Sequence, residues 1–158
     1  MVSKNSLRKK GREYAFQFLY QLDLLNPSNQ DHSTIDELLD NFEQSYLEPD
    51  SENPNNQLHL VSKTFAAELI NGLIKEHDSI VQILENSLHK QNLNKLNKID
   101  ITLLKLGCYE IIFKQNTPAK AIINETIDMA KIYGNQESYS IINGVLDNVW
   151  KSNSSSEK

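Results

Sequence analysis

Carboxylates, histidines and one cysteine are the side chains with which this sequence could catalyse a reaction or hold a metal. Four acids lie within or beside apolar helical segments and are the candidates for acid–base chemistry: Glu13, Asp100, Glu110 and Glu125. Acids at such positions more often cap a helix or form an ion pair. The four histidines are far apart and no nucleotide-binding or nucleophile motif occurs. The sequence therefore predicts no catalysis, no bound metal and no cofactor.

The single cysteine, Cys108, excludes an internal disulfide and favours a reducing compartment, so we expect a cytoplasmic protein. Its apolar neighbours favour a small buried side chain over a reactive thiol. No apolar run approaches the roughly 18 residues that a membrane span requires. The N-terminus also lacks the apolar stretch of a secretory signal. We expect no membrane segment.

Positive charge is concentrated at the N-terminus of an otherwise acidic chain. The 158 residues carry 16 lysines and arginines against 21 aspartates and glutamates, for a net charge of −5. Residues 1–12 contain five of these cations and no acid: Lys4, Arg8, Lys9, Lys10 and Arg12. Phosphate binding depends on local positive potential and not on the sum over the chain. The segment predicts either a nucleic-acid contact or a solubilising terminus, and charge alone does not separate the two.

Apolar side chains recur at helical spacing along seven segments, and no window alternates convincingly with the period of two that marks a strand. The segments cover 6–25, a stretch from Ser33 or Thr34 to Phe42, 58–74, 77–88, 99–113, 117–134 and 136–151. We predict an all-α fold, a single domain over 1–158 built as a bundle of about seven helices. The segment 99–113 is apolar on most sides and is predicted to be the central helix.

Turn-forming and polar residues predict how these helices end and approach one another. Thr117 is expected to cap the helix that begins at Pro118, and Gly134 to end it in the left-handed conformation. Gly72 and Gly144 lie inside helical patterns, and we expect each to allow another helix to approach closely. Polarity further predicts two irregular segments, a mobile loop at 48–57 and a disordered tail at 152–158.

Cations and aromatic rings lie side by side on the first predicted helix. Arg8 and Arg12 are four residues apart, beside the apolar stripe. Lys9, Phe16 and Tyr20 share the next strip of surface. Such a surface suits single-stranded RNA, whose phosphates need charge and whose unstacked bases need a flat partner. Phe16 is expected instead to pack against a neighbouring helix, and for Tyr20 both interpretations stay open.

Three parts of the chain carry a family resemblance. One is Arg-Lys-Lys-Gly-Arg-Glu-Tyr-Ala-Phe-Gln-Phe-Leu-Tyr-Gln at 8–21, and another is Leu-Leu-Lys-Leu-Gly-Cys-Tyr-Glu at 103–110. The third is Ala-Ile-Ile-Asn-Glu-Thr-Ile-Asp-Met-Ala-Lys-Ile-Tyr-Gly at 121–134, followed by Ile-Ile-Asn-Gly-Val-Leu-Asp at 141–147. In this order and spacing they resemble the NusB family, whose members are helical transcription antitermination factors.

The resemblance implies an RNA-binding adaptor that works without turnover. NusB proteins pair with a ribosomal protein, NusE, to bind the boxA element in the leaders of ribosomal RNA. The pair joins RNA polymerase in a complex that suppresses termination. For this chain the resemblance therefore implies three partners, which are single-stranded boxA-like RNA, NusE and the polymerase antitermination complex.

Carried over residue by residue, the resemblance implies an RNA site built from both ends of the chain. Its residues are Arg8, Lys9, Lys10, Arg12, Tyr20, Tyr133, Glu137, Ser140 and Ile141. The charge of the N-terminal segment adds Lys4 to the candidate RNA-binding residues. Ser140 and Ile141 depart from the family, which commonly has a basic residue and then phenylalanine there. This departure removes a charge and a stacking ring, so the expected site shifts toward the N-terminal helix. Asp100 occupies the acidic position that contacts the ribosomal protein, and its alternative role is an acid at a helix N-terminus.

Other functions remain open at this point. The chain could be a helical protein-interaction module without direct RNA binding, or a homodimer that masks the RNA surface. Some ribosomal RNA methyltransferases carry a NusB-like domain, but we expect no nucleotide-binding domain behind this polar C-terminal segment. The sequence does not decide between monomer and homodimer.

Overall fold

The computed structural model describes residues 3–24, 32–47, 58–88 and 92–156. Seven α-helices account for most of these residues and no strand occurs among them, so the predicted all-α class is confirmed. The helices are α1 (Lys4–Leu24), α2 (His32–Leu47), α3 (Leu60–Lys75), α4 (His77–Ser87), α5 (Lys98–Tyr109), α6 (Ala119–Tyr133) and α7 (Gln136–Ser156). The predicted mobile loop at 48–57 lies outside the described residues.

The chain divides into two compact units, Met1–Ala67 and Glu68–Lys158. The first contains α1, α2 and the beginning of α3, and the second contains the rest of α3 with α4 to α7. A single domain over 1–158 stays a prediction.

Aromatic side chains join α1 to α2 in the first unit. The Tyr14 ring meets the Phe42 and Tyr46 rings edge to face, at centroid distances of 5.1 and 4.9 Å. Phe18, one helical turn further along α1, lies 5.5 Å from the Phe42 centroid. Edge-to-face pairs place the positive rim of one ring against the negative face of another. Burial, with the nearby Glu43 carboxylate, raises the pKa of Tyr14 to about 12.

Helix α5 is the central helix of the second unit, as the sequence predicts. It packs against α4, α6 and α7. Its fully buried apolar side chains are those of Leu103, Leu104, Leu106 and Cys108. Because such side chains lie on most sides of α5, the helix needs neighbours on most sides to shield them from water.

A single π-helical turn, Glu110–Lys114, continues α5 and ends the predicted 99–113 segment. Gln115 stops it in the left-handed conformation, with φ of 54°, and donates its backbone N–H to the Glu110 carbonyl at 3.1 Å. The Gln115 side chain donates to the Ile112 carbonyl at 3.1 Å, which satisfies another terminal acceptor. Nothing in the sequence pattern predicts a left-handed glutamine at this position.

Three expectations about helix ends need correction. Pro118 is itself the cap of α6, so the predicted start at Thr117 is one residue early. Gly134 is extended and not left-handed. A Cβ at this position would lie 2.7 Å from Ser138 Oγ, so glycine is needed here because Ser138 packs so close to the backbone. Residues 152–156, expected to belong to a disordered tail, continue α7, and residues 157–158 lie outside the described residues.

The two Asn-Gly pairs have different surroundings. A Cβ added at Gly72 would overlap the hydroxyl and ring of Tyr109, so close approach is confirmed there. At Gly144 a Cβ would meet nothing within 4 Å, and the residue is exposed. The same expectation is therefore wrong for Gly144, whose surroundings within this chain leave room for a side chain.

This difference predicts opposite effects of one substitution. Gly144→Ala should raise the free energy of unfolding by about 1 kcal/mol, because alanine favours the helix and nothing obstructs its methyl group. Gly72→Ala should lower it by about 1 kcal/mol or more, because the Tyr109 ring must leave its place against Phe113. Urea unfolding of both variants measures the two changes, and equal effects would contradict the packing at Gly72.

Burial of Cys108 leads to a second prediction. Desolvation raises the pKa of its thiol from 9.0 to about 12. The native state thus favours the protonated thiol, whose stabilising contribution is complete below about pH 9 and is lost as the pH rises toward 12. We expect the unfolding free energy to decline over that window by at most about 1.4 kcal/mol per pH unit from this group. Urea unfolding at a series of pH values, with Cys108→Ala as control, measures the decline, and an equal decline in the control would contradict it.

Candidate nucleic-acid interface

All five N-terminal cations lie on α1, which begins at Lys4. Lys4 and Lys10 are exposed, whereas Arg8 and Lys9 are half-buried. A helix keeps these side chains at fixed positions along one element, and α1 contains no acid in its first turn. The cations therefore give the beginning of α1 a localised positive potential. In a mobile terminus the same charges would be distributed over many positions.

The first turns of α3 lie directly against this basic segment. Ser62 Oγ donates to the Leu7 carbonyl at 2.6 Å. A Cβ at Gly11 would come within 2.8 Å of the Ser62 carbonyl and 2.9 Å of Phe65 Cδ1. Because the obstacle at Ser62 is backbone, any larger residue at position 11 would push α3 away. Gly11 therefore permits the contact that positions the basic face of α1.

Phe65 meets both arginines of the chain. The guanidinium carbons of Arg8 and Arg12 lie 5.8 and 5.1 Å from the centre of its ring. Arg12 is only 4% exposed, so the structure does not offer it as a surface cation. Its burial distinguishes it from Lys4, Arg8, Lys9 and Lys10, which keep accessible surface. Its role in RNA binding stays a prediction.

The two aromatic residues of the predicted RNA surface differ in exposure. Phe16 and Tyr20 stack with their centroids 6.0 Å apart and their planes inclined by 23°. Phe16 is 3% exposed, so the expected packing role is the one that the structure shows. Tyr20 is half-buried and keeps accessible surface. Tyr20 is thus the aromatic residue of this pair with surface to offer a base.

The C-terminal candidates belong to the second unit. Tyr133 is the last residue of α6 and is half-buried, and Glu137 is exposed in the first turn of α7. One turn later Ser140 is exposed and Ile141 is half-buried. The turn between α6 and α7 is held by Asn135, whose Oδ1 accepts from the Ser138 N–H at 3.1 Å. The departures at positions 140 and 141 therefore lie on a helix with a well-formed start.

Asp100 has the role of a helix-end acid. It is 2% exposed, its backbone N–H donates to Asn97 Oδ1 at 2.8 Å, and its Oδ2 accepts from Asn97 Nδ2 at 3.1 Å. This reciprocal arrangement caps α5. Asp100 has no exposed carboxylate with which to make the expected contact to the ribosomal protein, so partner binding through Asp100 stays a prediction. Within 3–24, 32–47, 58–88 and 92–156, no group of three or more His, Cys, Asp or Glu side chains could hold a metal ion.

Two residues of this interface, Ser62 and Phe65, were missed as functional candidates. Phe65 lies in the apolar pattern of the segment 58–74, where nothing distinguishes it from the other apolar residues. The pattern offered one signal, a glycine between two arginines on α1, which indicates that something approaches closely there. It could not indicate which helix does so, because contacts over more than 50 residues of chain have no local signature.

Comparison with known proteins decides the family. The NusB family profile matches residues 9–151 of this chain. The chain belongs to the NusB family. It is 35% identical to the transcription antitermination protein NusB of Thermodesulfovibrio yellowstonii, over 96% of this chain and 99% of that protein. It is 33% identical to NusB of Myxococcus xanthus, over 90% of this chain and 93% of that protein.

Solved NusB structures agree with the fold. NusB of T. maritima superposes with a TM-score of 0.72 at 26% identity, covering 96% of this chain and 93% of that one. NusB from a crystal of NusB and NusE with double-stranded RNA gives a TM-score of 0.72 at 22% identity, covering 92% and 97%. In the part of the NusB chain described above, no helix is long and apolar enough to cross a membrane.

The burial of Arg12 predicts a difference between two neighbouring cations of this NusB protein. Arg12→Ala should lower the free energy of unfolding by about 1–3 kcal/mol, because it removes packing over Phe65. Lys10→Ala, at an exposed position of the same helix, should change it by about 0.5 kcal/mol or less. Urea unfolding compares the two, and equal losses would show that Arg12 is not part of the core.

Proposed function

We propose that this chain is an RNA-binding adaptor in transcription antitermination and is not an enzyme. The observation that carries the proposal is the concentration of cations on α1, where Lys4, Arg8, Lys9 and Lys10 have accessible surface in a chain of net charge −5. If the charges were evenly distributed, the negative net charge of the chain would repel phosphates. Tyr20 adds a ring on which an unpaired base can stack.

The RNA is proposed to be the boxA-type leader of ribosomal RNA operons, bound together with NusE. Family membership supports this assignment, and so does the NusB relative that was crystallised with NusE and RNA. An adaptor acts by holding partners together, so the proposal extends to the RNA polymerase antitermination complex in the cytoplasm. Tyr133, Glu137, Ser140 and Ile141 are proposed as a weaker, secondary part of the RNA surface.

Replacing the accessible cations tests the proposal. Lys4, Arg8, Lys9 and Lys10 are changed together to alanine, and binding of a boxA-type RNA is measured across salt, with and without NusE. We expect a large loss of affinity and a salt dependence shallower by about 0.7 in logarithmic slope for each phosphate contact removed from a single strand. Circular dichroism should be nearly unchanged, because these side chains are not in the core.

The matched control removes the same amount of charge elsewhere. Lys75, Lys95, Lys120 and Lys151 are all exposed and lie outside α1. Their combined alanine variant should keep most of the affinity. Equal losses in the two variants would indicate non-specific attraction, and no binding by the unaltered chain, with or without NusE, would favour the protein-interaction module. Sedimentation at the same concentrations separates that outcome from a homodimer that masks the surface.

A further inference from the structure

Phe65 connects two helices at the cationic surface. Its ring is on α3, and the guanidinium groups that it meets belong to Arg8 and Arg12 on α1, at 5.8 and 5.1 Å. Both lie within the range of about 6 Å over which a cation is attracted to an aromatic face. Ser62, three residues earlier, donates to the Leu7 carbonyl at 2.6 Å and fixes the height of α3 along α1. The position of the Phe65 ring is therefore set by its own helix, α3.

A carboxylate that binds an arginine neutralises its charge, whereas an aromatic ring does not. Where this chain uses a carboxylate, as in the pair of Lys63 with Glu43, the cation is neutralised by its partner. An aromatic face orders a guanidinium and leaves its net charge and most of its N–H donors available. Among the described residues Arg8 forms no ion pair, and its guanidinium lies over the Phe65 ring. Arg8 is thus ordered without being neutralised.

The two arginines contribute differently to this arrangement. Arg12 is 4% exposed and lies closer to the ring centre, so it is part of the support. Arg8 is half-buried and keeps accessible surface. An ordered side chain loses less conformational entropy when it binds a phosphate than a freely rotating one. The gain in affinity should therefore come through Arg8.

We propose that Phe65 is a positioning residue for RNA binding, which orders the Arg8 guanidinium over its ring and leaves the charge of Arg8 available to a phosphate. The inference rests on the proposed RNA-binding function. It extends the functional surface from α1 to the first turns of α3, although Phe65 itself need not touch the RNA. It also explains why the smallest residue, Gly11, lies between the two arginines, since a Cβ there would come within 2.9 Å of the Phe65 ring.

The test alters the ring and leaves the arginines in place. Phe65→Leu removes the aromatic face at similar volume, and Phe65→Tyr restores it. We expect affinity for a boxA-type RNA to fall about fivefold in the leucine variant and to return in the tyrosine variant. Incorporation of trifluorophenylalanine at position 65 keeps the shape but weakens the negative ring face, so it should also reduce affinity. This variant keeps the test valid if Phe65→Leu does not fold.

A double-mutant cycle separates positioning from simple packing. In an Arg8→Ala background, Phe65→Leu should have almost no further effect on RNA affinity, whereas its effect on thermal unfolding should persist. Equal RNA affinity of the folded leucine, fluorinated and unaltered proteins would overturn the inference and leave the proposed function intact. Failure of the unaltered chain to bind the RNA, with or without NusE, would overturn both.

Discussion

The close approach of α3 to α1 at Gly11 is the contact on which the cationic surface depends. It brings a backbone carbonyl of α3 to within 2.8 Å of where a Cβ would stand, and a hydroxyl of α3 into a 2.6 Å hydrogen bond with the α1 backbone. A backbone obstacle cannot rotate aside as a side chain can. The spacing between the two helices is thus set by the main chain, and the side chains beside it have a fixed frame.

That frame decides what each cation does. Lys4 and Lys10 are exposed, Arg8 lies over the Phe65 ring, and Arg12, whose guanidinium also lies over that ring, is buried. Burying a guanidinium is costly unless its charge and donors are matched, and an aromatic face meets part of that requirement. The exposed lysines then supply long-range attraction, and the Arg8 guanidinium, held over the ring, supplies a defined geometry. Such a division suits a polyanion better than a salt-bridged helix would.

The second unit is organised by burial rather than by charge. Helix α5 is shielded by α4, α6 and α7. At its start the Asn97 side chain accepts from the Asp100 N–H and donates to Asp100 Oδ2, while Asp100 Oδ1 is buried without a hydrogen-bond partner. Apolar burial drives this packing, and the caps keep the exposed ends of the helix from losing backbone hydrogen bonds. A helix that is largely enclosed in this way has little surface for a partner. Its termini and the helices around it are what remain accessible.

The sequence by itself determined the helices, because apolar residues that recur every three or four positions form one continuous apolar face only on a helix. It also determined the burial of Cys108 and the basic character of α1, and three spaced motifs were enough to indicate the NusB family. Only the tertiary structure decided that Arg12 is internal, that Asp100 is a cap, and that Gly144 has room beside it while Gly72 has none. It alone brought Phe65 to the arginines. Periodicity encodes which face of a helix is apolar, whereas the identity of the neighbour on that face depends on how distant segments pack.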